Sequence, residues 1–389
     1  MPVASSGLWV ERLALTNFRS YASAVIETDA GPQVIAGANG SGKTNLLEAL
    51  SLLAPGQGLR RVPFSELARA SGDGSFAIAA RAHTLAGPAD IGTGLAAGGS
   101  AVSGERSGRL VRIDGVAQSG SGVLADYLEI VWVTPAMDGL FTGPASERRR
   151  FLDRLILCFD HSYRTIAGRF ERAMTSRNRL LADGVRDHAQ LSGFERVMAE
   201  TGVAVAAARL EAVAAMASIV DKRRMRDPDS AFPWSSFRLE GSIEESLQRL
   251  SAIEAEDAYA QILSRTRERD RAAARTLDGP HRTDLIVEHG PKGLAARHCS
   301  TGEQKALLLG LVLAHAELLT ERQDGVSPIL LLDEITAHLD AHRCAGLFDE
   351  ILRLRAQAWM TGTDSEAFAA LRGRARFWCV EEGKIELLG

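Results

Sequence analysis

The residues whose types and spacing could do chemistry begin at Gly37-Ala38-Asn39-Gly40-Ser41-Gly42-Lys43-Thr44. Glycines at this spacing let backbone N–H groups converge on phosphate oxygens at a helix N-terminus. Lys43 would reach the β- and γ-phosphates of ATP, and Thr44 would ligate Mg2+. The chain has only five lysines, Lys43, Lys222, Lys292, Lys305 and Lys384, so a chance match to the pattern is rare. A second candidate is Ile329-Leu330-Leu331-Leu332-Asp333-Glu334, an apolar run ending in two carboxylates. Asp333 can hold the Mg2+ shell through water, and Glu334 can polarise an attacking water. Many strands end in a charged cap, so this pair gains weight only from following a phosphate loop. Between the two lies Ser300-Thr301-Gly302-Glu303-Gln304, directly before an apolar helical run. It reads either as an anion-binding helix start or as a helix cap in which Glu303 completes a capping box.

The elements around these residues suit them. Trp9 to Leu15 alternates apolar and polar residues and breaks at Thr16-Asn17, a strand entering a turn. Gln33-Val34-Ile35-Ala36 delivers the chain to Gly37, and after Thr44 the leucines 46, 47, 50 and 53 fall on one helical face that ends at Pro55-Gly56. The pattern is strand, glycine loop, helix. The Gly-, Ala- and Ser-rich stretch from Gly87 to Gly122 reads as hairpins with flexible connections, with low complexity over Gly92 to Gly108 as the alternative. Ile130-Val131-Trp132-Val133 reads as a buried strand closed by Pro135.

From about Ala145 to Arg275 the pattern is mainly helical, with a near-heptad stripe at Phe194, Val197, Met198, Thr201, Val205 and Ala208. An irregular stretch between Pro228 and Pro233 interrupts it. Beyond Arg275 the chain returns to alternating strand and helix. The expectation is an α/β fold with a mixed sheet and a phosphate loop, over 1–143 and 276–389, into which a mainly helical second lobe, 144–275, is inserted.

With 389 residues and 46% apolar content the chain can bury one large core or two smaller ones. Cys158, Cys299, Cys344 and Cys379 lack metal-ligand spacing and read as reduced thiols. The N-terminal Met1-Pro2-Val3-Ala4-Ser5-Ser6 lacks the basic and apolar regions of a secretory signal, and no apolar run reaches the roughly 18 residues a bilayer requires. A cytoplasmic chain with no membrane association is therefore expected. A net charge of −4 excludes a uniformly basic coat and leaves room for local patches. Two are visible: Arg267, Arg271 and Arg275 at helical spacing, and Arg148-Arg149-Arg150. Either could meet nucleic-acid phosphates or form an ion-paired face with Glu147, Asp153, Glu268 and Asp270.

The order phosphate loop, Ser-x-Gly-x-Gln, apolar-Asp-Glu, then Ala337-His338-Leu339-Asp340 resembles the ABC-type ATPase head. That resemblance implies a head-to-head homodimer closing on two ATP molecules. Ser300, Gly302 and Gln304 of one protomer would then contact the γ-phosphate held by the other, with Asp340 at the seam. Read alone, Asp340 is as good a helix N-cap. Leu15-Thr16-Asn17-Phe18-Arg19-Ser20-Tyr21, Arg149-Arg150-Phe151-Leu152-Asp153 and Gly279-Pro280-His281-Arg282 further resemble the RecF family of bacterial recombination mediators.

The family resemblance implies ATP-dependent dimerisation on double-stranded or gapped DNA and action with RecR, with RecO as a further partner. It also implies RecA loading and SOS induction. Two departures stand out. Trp359-Met360-Thr361-Gly362-Thr363 has threonines where transporter ATPases carry a histidine, and no glutamine near Val133 to Met137 suits a γ-phosphate sensor. They suggest slow hydrolysis and weigh against the alternative of a transporter ATPase subunit. A nucleotide-dependent scaffold that does not hydrolyse ATP is the other alternative. Phe18 is expected to pack in the first hairpin, Arg19 is open, and His281 fits a satisfied histidine in a turn.

Overall fold

Strand β1 (Trp9–Phe18) alternates as the sequence predicts, but a bulge between Val10 and Arg12 shifts its phase, so Val10 and then Leu13 and Leu15 are buried. The computed structural model describes residues 7–97, 108–184 and 187–388. Residues 1–6, where the signal-peptide reading falls, and 98–107, where most of the low-complexity reading falls, lie outside the described residues. In chain order β1 is followed by β2 (Tyr21–Glu27), β3 (Gln33–Ala36), α1 (Lys43–Ser51), β4 (Phe76–Thr84), β5 (Gly87–Leu95), β6 (Leu110–Ile113), β7 (Val116–Ala117) and β8 (Ile130–Val133). Helices α2 (Ala145–Leu157), α3 (Ser162–Ala182) and α4 (His188–Arg226) come next. Then follow β9 (Ser235–Glu240), α5 (Ser242–Leu247), α6 (Ala252–Arg265), α7 (Arg267–Ala272), β10 (Asp284–His289) and β11 (Leu294–Ala295). The last elements are α8 (Thr301–Arg322), β12 (Ile329–Leu332), α9 (Ala341–Leu354), β13 (Ala358–Gly362), β14 (Arg376–Glu381) and β15 (Lys384–Leu388).

Packing divides the chain into two units: Met1–Asp138 with Asp229–Phe232 and Leu308–Gly389, and Gly139–Pro228 with Pro233–Leu307. The stretch 276–307, placed with the ATPase head on sequence, groups with the helices. The first unit holds two sheets. One is antiparallel, in the order β2-β1-β4-β5-β6-β7. The other, in the order β15-β14-β3-β13-β12-β8, is parallel except for β15. Strands β3, β8, β12 and β13 are buried along their whole length, which explains why they read as short unbroken apolar runs. Gln357 joins the two sheets: its side-chain amide accepts from Val10 N at 2.9 Å and donates to Val10 O at 3.0 Å, so it pairs both backbone groups of one β1 residue.

The second unit is helical around Phe170, Met198, Tyr259 and Leu263. It also carries a three-stranded antiparallel sheet, β11-β10-β9. Strand β9 has no clear signal in the sequence, because Ser235-Ser236-Phe237-Arg238-Leu239-Glu240 has two apolar residues and gains its place by pairing with β10. The stripe on α4 faces inward at Met198, Thr201 and Val205. No unbroken apolar run in this helix reaches bilayer length, yet by length and mean hydropathy it is apolar enough to cross one. It contains an 18-residue window of mean hydropathy 1.8, half of it buried. Its alanines and valines pack on α3 and α6, and buried Arg209 within it is ion-paired to Asp153.

Candidate nucleotide-binding site

The glycine loop lies at the carboxyl end of β3, with α1 starting at Lys43. Two of its glycines are required by shape. A Cβ on Gly37, at φ 155°, would lie 2.4 Å from Val380 O, and one on Gly42, at φ 120°, would lie 2.9 Å from Ser20 Oγ. Tyr21, fully buried, donates its hydroxyl to Gly42 O at 3.0 Å and holds the loop from the first hairpin. The Ser41 hydroxyl is buried without a partner. Ala38 to Ser41 line one wall of a cleft of about 520 Å³, whose other wall is the β14–β15 hairpin from Cys379. The glycine backbone at 37, 40 and 42 and an orphaned hydroxyl fit a phosphate cradle.

Strand β13 lies between β3 and β12 and brings the two halves of the site together. Thr44 Oγ1 donates to Asp333 at 2.9 and 3.1 Å. Lys43 Nζ donates to Gly37 O at 2.7 Å and Ala38 O at 3.0 Å, and lies 3.4 Å from Glu334 Oε1. Lys43 and Asp333 are buried, while the Glu334 side chain keeps 26% of its surface exposed, open to a water. Among the described residues no group of three or more His, Cys, Asp or Glu could hold a metal ion. The Thr44–Asp333 oxygen pair instead suits Mg2+, which takes one or two protein oxygens and completes its shell with phosphate and water.

In the sequence Thr361 stands out only as a missing histidine. It is fully buried on β13, donates to Asp333 Oδ1 at 2.8 Å and accepts from Glu334 N at 2.8 Å. One hydroxyl thus sets both acids. A polar residue in a buried central strand is the signal that could have found it. Glu334 itself takes a left-handed backbone, φ 48°, which turns its side chain out of the strand.

Ser300, Gly302 and Gln304 lie at the start of α8 in the second unit. Ser300 N donates to Glu303 Oε2 at 3.0 Å and Glu303 N to Ser300 Oγ at 3.4 Å, the reciprocal capping box. The Lys292 ammonium and these Ser300 groups hold the Glu303 carboxyl down to about 2. Gln304 Nε2 donates to Cys299 O at 2.9 Å. Asp340, in the first unit, caps α9 by accepting from Arg343 N at 2.8 Å, which lowers its pKa. The cap readings hold within one chain; Ser300 and Asp340 are exposed, whereas Gln304 is buried with its amide on Cys299 O.

Phe18 is fully buried, edge-on to Phe76 at 5.5 Å, and Arg19 forks onto Glu48 at 2.8 and 3.0 Å. The arginine stripe is corrected. Arg267 is buried and paired with Glu195, Arg271 pairs with Glu268, and α7 ends at Ala272, before Arg275. Arg148 is likewise spent, forked onto Asp284 at 2.7 and 2.8 Å.

A parallel sheet that carries a phosphate loop on one strand and an Asp-Glu pair two strands away, beside an antiparallel sheet, defines an ABC-type ATPase head. Residues 12–80 match the pattern of the AAA domain family. The SmcHead bound to the C-winged helix domain of ScpA shares the fold over 98% of this chain and 97% of its own, with a TM-score of 0.55 at 16% identity. The recombination mediator protein RecF with ATP superposes with a TM-score of 0.83 at 21% identity, covering 100% of both chains. "DNA replication and repair protein RecF" of Mesorhizobium japonicum is 50% identical over 97% of each chain, and that of Brucella suis is 50% identical over 97% of this chain and 95% of its own. The chain belongs to the RecF family.

Proposed function

We propose that the chain is an ATP-dependent DNA-binding protein of recombinational repair and replication-fork maintenance. The observation that carries this reading is the joining of Lys43 and Thr44 to Glu334 and Asp333 at the ends of β3 and β12. Thr44 and Asp333 would hold Mg2+, which when bound would shield the phosphates and draw charge off the scissile bond. Lys43 leaves the loop carbonyls for the β- and γ-phosphates, and Gly37 to Gly42 supply backbone donors. Glu334 accepts the proton of the attacking water.

Ser300, Gly302 and Gln304 of a second copy complete the site, with Asp340 at the seam, so ATP latches a homodimer on double-stranded or gapped DNA. Hydrolysis is slow and releases the dimer. It acts in the cytoplasm with RecR and RecO to promote RecA loading at gaps and SOS induction. Family membership supports this pathway.

Glu334→Gln tests the reading. It keeps the shape of the site and removes the base. The variant should stay on gapped duplex DNA as an ATP-bound dimer after the wild type has dissociated, with turnover at least 100-fold lower. Release at the wild-type rate would point to a scaffold that does not use hydrolysis.

A further inference from the structure

The segments Arg148 to Asp153 and Pro280 to Asp284 are interlocked in the second unit. Arg209 forks onto Asp153 at 2.8 and 3.0 Å and donates to Pro280 O at 2.6 Å, while Arg148 forks onto Asp284. Both aspartates are thereby occupied. Arg149 Nη1 reaches only Thr283 O, at 2.6 Å, and among the described residues neither Arg149 nor the exposed Arg282 has a carboxylate partner. Glu244, the other acid here, is buried and accepts from Thr283 Oγ1 at 2.8 Å. His281 adds no charge: burial lowers its pKa, and Nε2 donates to Thr276 O at 3.0 Å.

Asp153 and Asp284 act on Arg149 through space but bond Arg209 and Arg148, so the N–H groups that Arg149 and Arg282 leave unpaired can still take a further anion. Burial depresses the pKa of Arg149, helped by the charges of Arg209 and Arg282 and opposed by those of Asp284 and Asp153. Arginine forks suit phosphate oxygens, and Arg149 is already oriented by its hydrogen bond to Thr283.

We propose that Arg149 and Arg282 form a phosphate-binding pair that grips the DNA backbone. The site rests on the DNA-binding reading above and gives it an address that the arginine stripe at 267–275 does not supply. It also gives a role to the exposed Arg282.

The test is a titration of gapped duplex DNA in the presence of ATP across a salt series. It compares the wild type with Arg282→Gln, Arg282→Lys and the double variant Arg149→Gln/Arg282→Gln. Removing one phosphate-binding charge should flatten the slope of log affinity against log salt by about 0.9. Arg282→Gln should therefore flatten it by about 1 and the double variant by about 2, with affinity falling roughly tenfold or more at low salt. Arg282→Lys should keep the slope. ATP affinity and thermal melting should not change, and Arg282→Gln, at an exposed side chain, keeps the test valid if the double variant folds poorly.

A wild-type slope in Arg282→Gln and the double variant would overturn the site and leave DNA binding intact. No salt-dependent DNA binding by the wild type would overturn both. Displacement of the duplex by inorganic phosphate at constant ionic strength, to the same extent as the double variant's weakening, would assign the pair to a small free anion instead.

Discussion

Thr361 donates one hydrogen to Asp333 and takes one from Glu334 N, so Thr361→Val removes both bonds at nearly constant volume. Asp333 Oδ1 keeps its bond from Thr44 Oγ1, and leaving the Glu334 N–H unpaired costs about 1–3 kcal/mol. ATP turnover should fall at least tenfold, with recovery in Thr361→Ser, as read by steady-state hydrolysis. A second residue gives a pH signature. Burial pushes the Glu129 carboxyl up to about 8, and its Oε1 accepts from Gln323 Nε2 at 2.5 Å. An acid with a raised folded pKa stabilises fully below its unfolded value of about 4.3 and loses that contribution as pH rises through about 8. Urea unfolding should therefore show the wild type weakening relative to Glu129→Gln by up to about 1.4 kcal/mol per pH unit across that window. The residues with motif spacing, Lys43, Thr44, Asp333 and Glu334, are legible in sequence because their chemistry repeats at fixed offsets. Thr361, Tyr21 and Glu129 are not, since their roles come from strands that meet only in the folded sheet.

At the level of elements, the strand–loop–helix of β3 and α1 and the apolar strand β12 are readable from periodicity and end signals. Strand β9 and the end of α7 are not. The first depends on pairing with β10, and the second on a left-handed Ala274 (φ 53°) that no breaker residue announces. The burial of Arg267 is hidden for a related reason: Glu195, which neutralises it, is 72 residues away. Gln357 is the element-scale counterpart of Thr361. Its amide closes the backbone of Val10, and its Oε1 accepts from Trp359 Nε1 at 3.0 Å. Gln357→Leu should destabilise the first unit by about 2–4 kcal/mol through unpaired buried groups. Denaturant midpoints of the β1–β13 core, followed by tryptophan fluorescence, check this.

For the whole molecule, a division into two units is legible because composition and period change near Ala145, but the change beyond Arg275 does not mark where the second unit ends. The packing of 276–307 with the helices is not legible, since it follows from β10 pairing to β9. The central claim is that one chain holds only half of each ATP site, Lys43, Thr44, Asp333 and Glu334, and needs Ser300 and Gly302 of a second. Sedimentation of the purified chain with and without ATP and gapped duplex DNA tests it most directly. A monomer without nucleotide that becomes a dimer with ATP, more completely on DNA, and stays a monomer when Ser300→Arg blocks the signature, is the predicted result. A wild-type monomer under every condition, or a dimer indifferent to both ATP and Ser300→Arg, would contradict it.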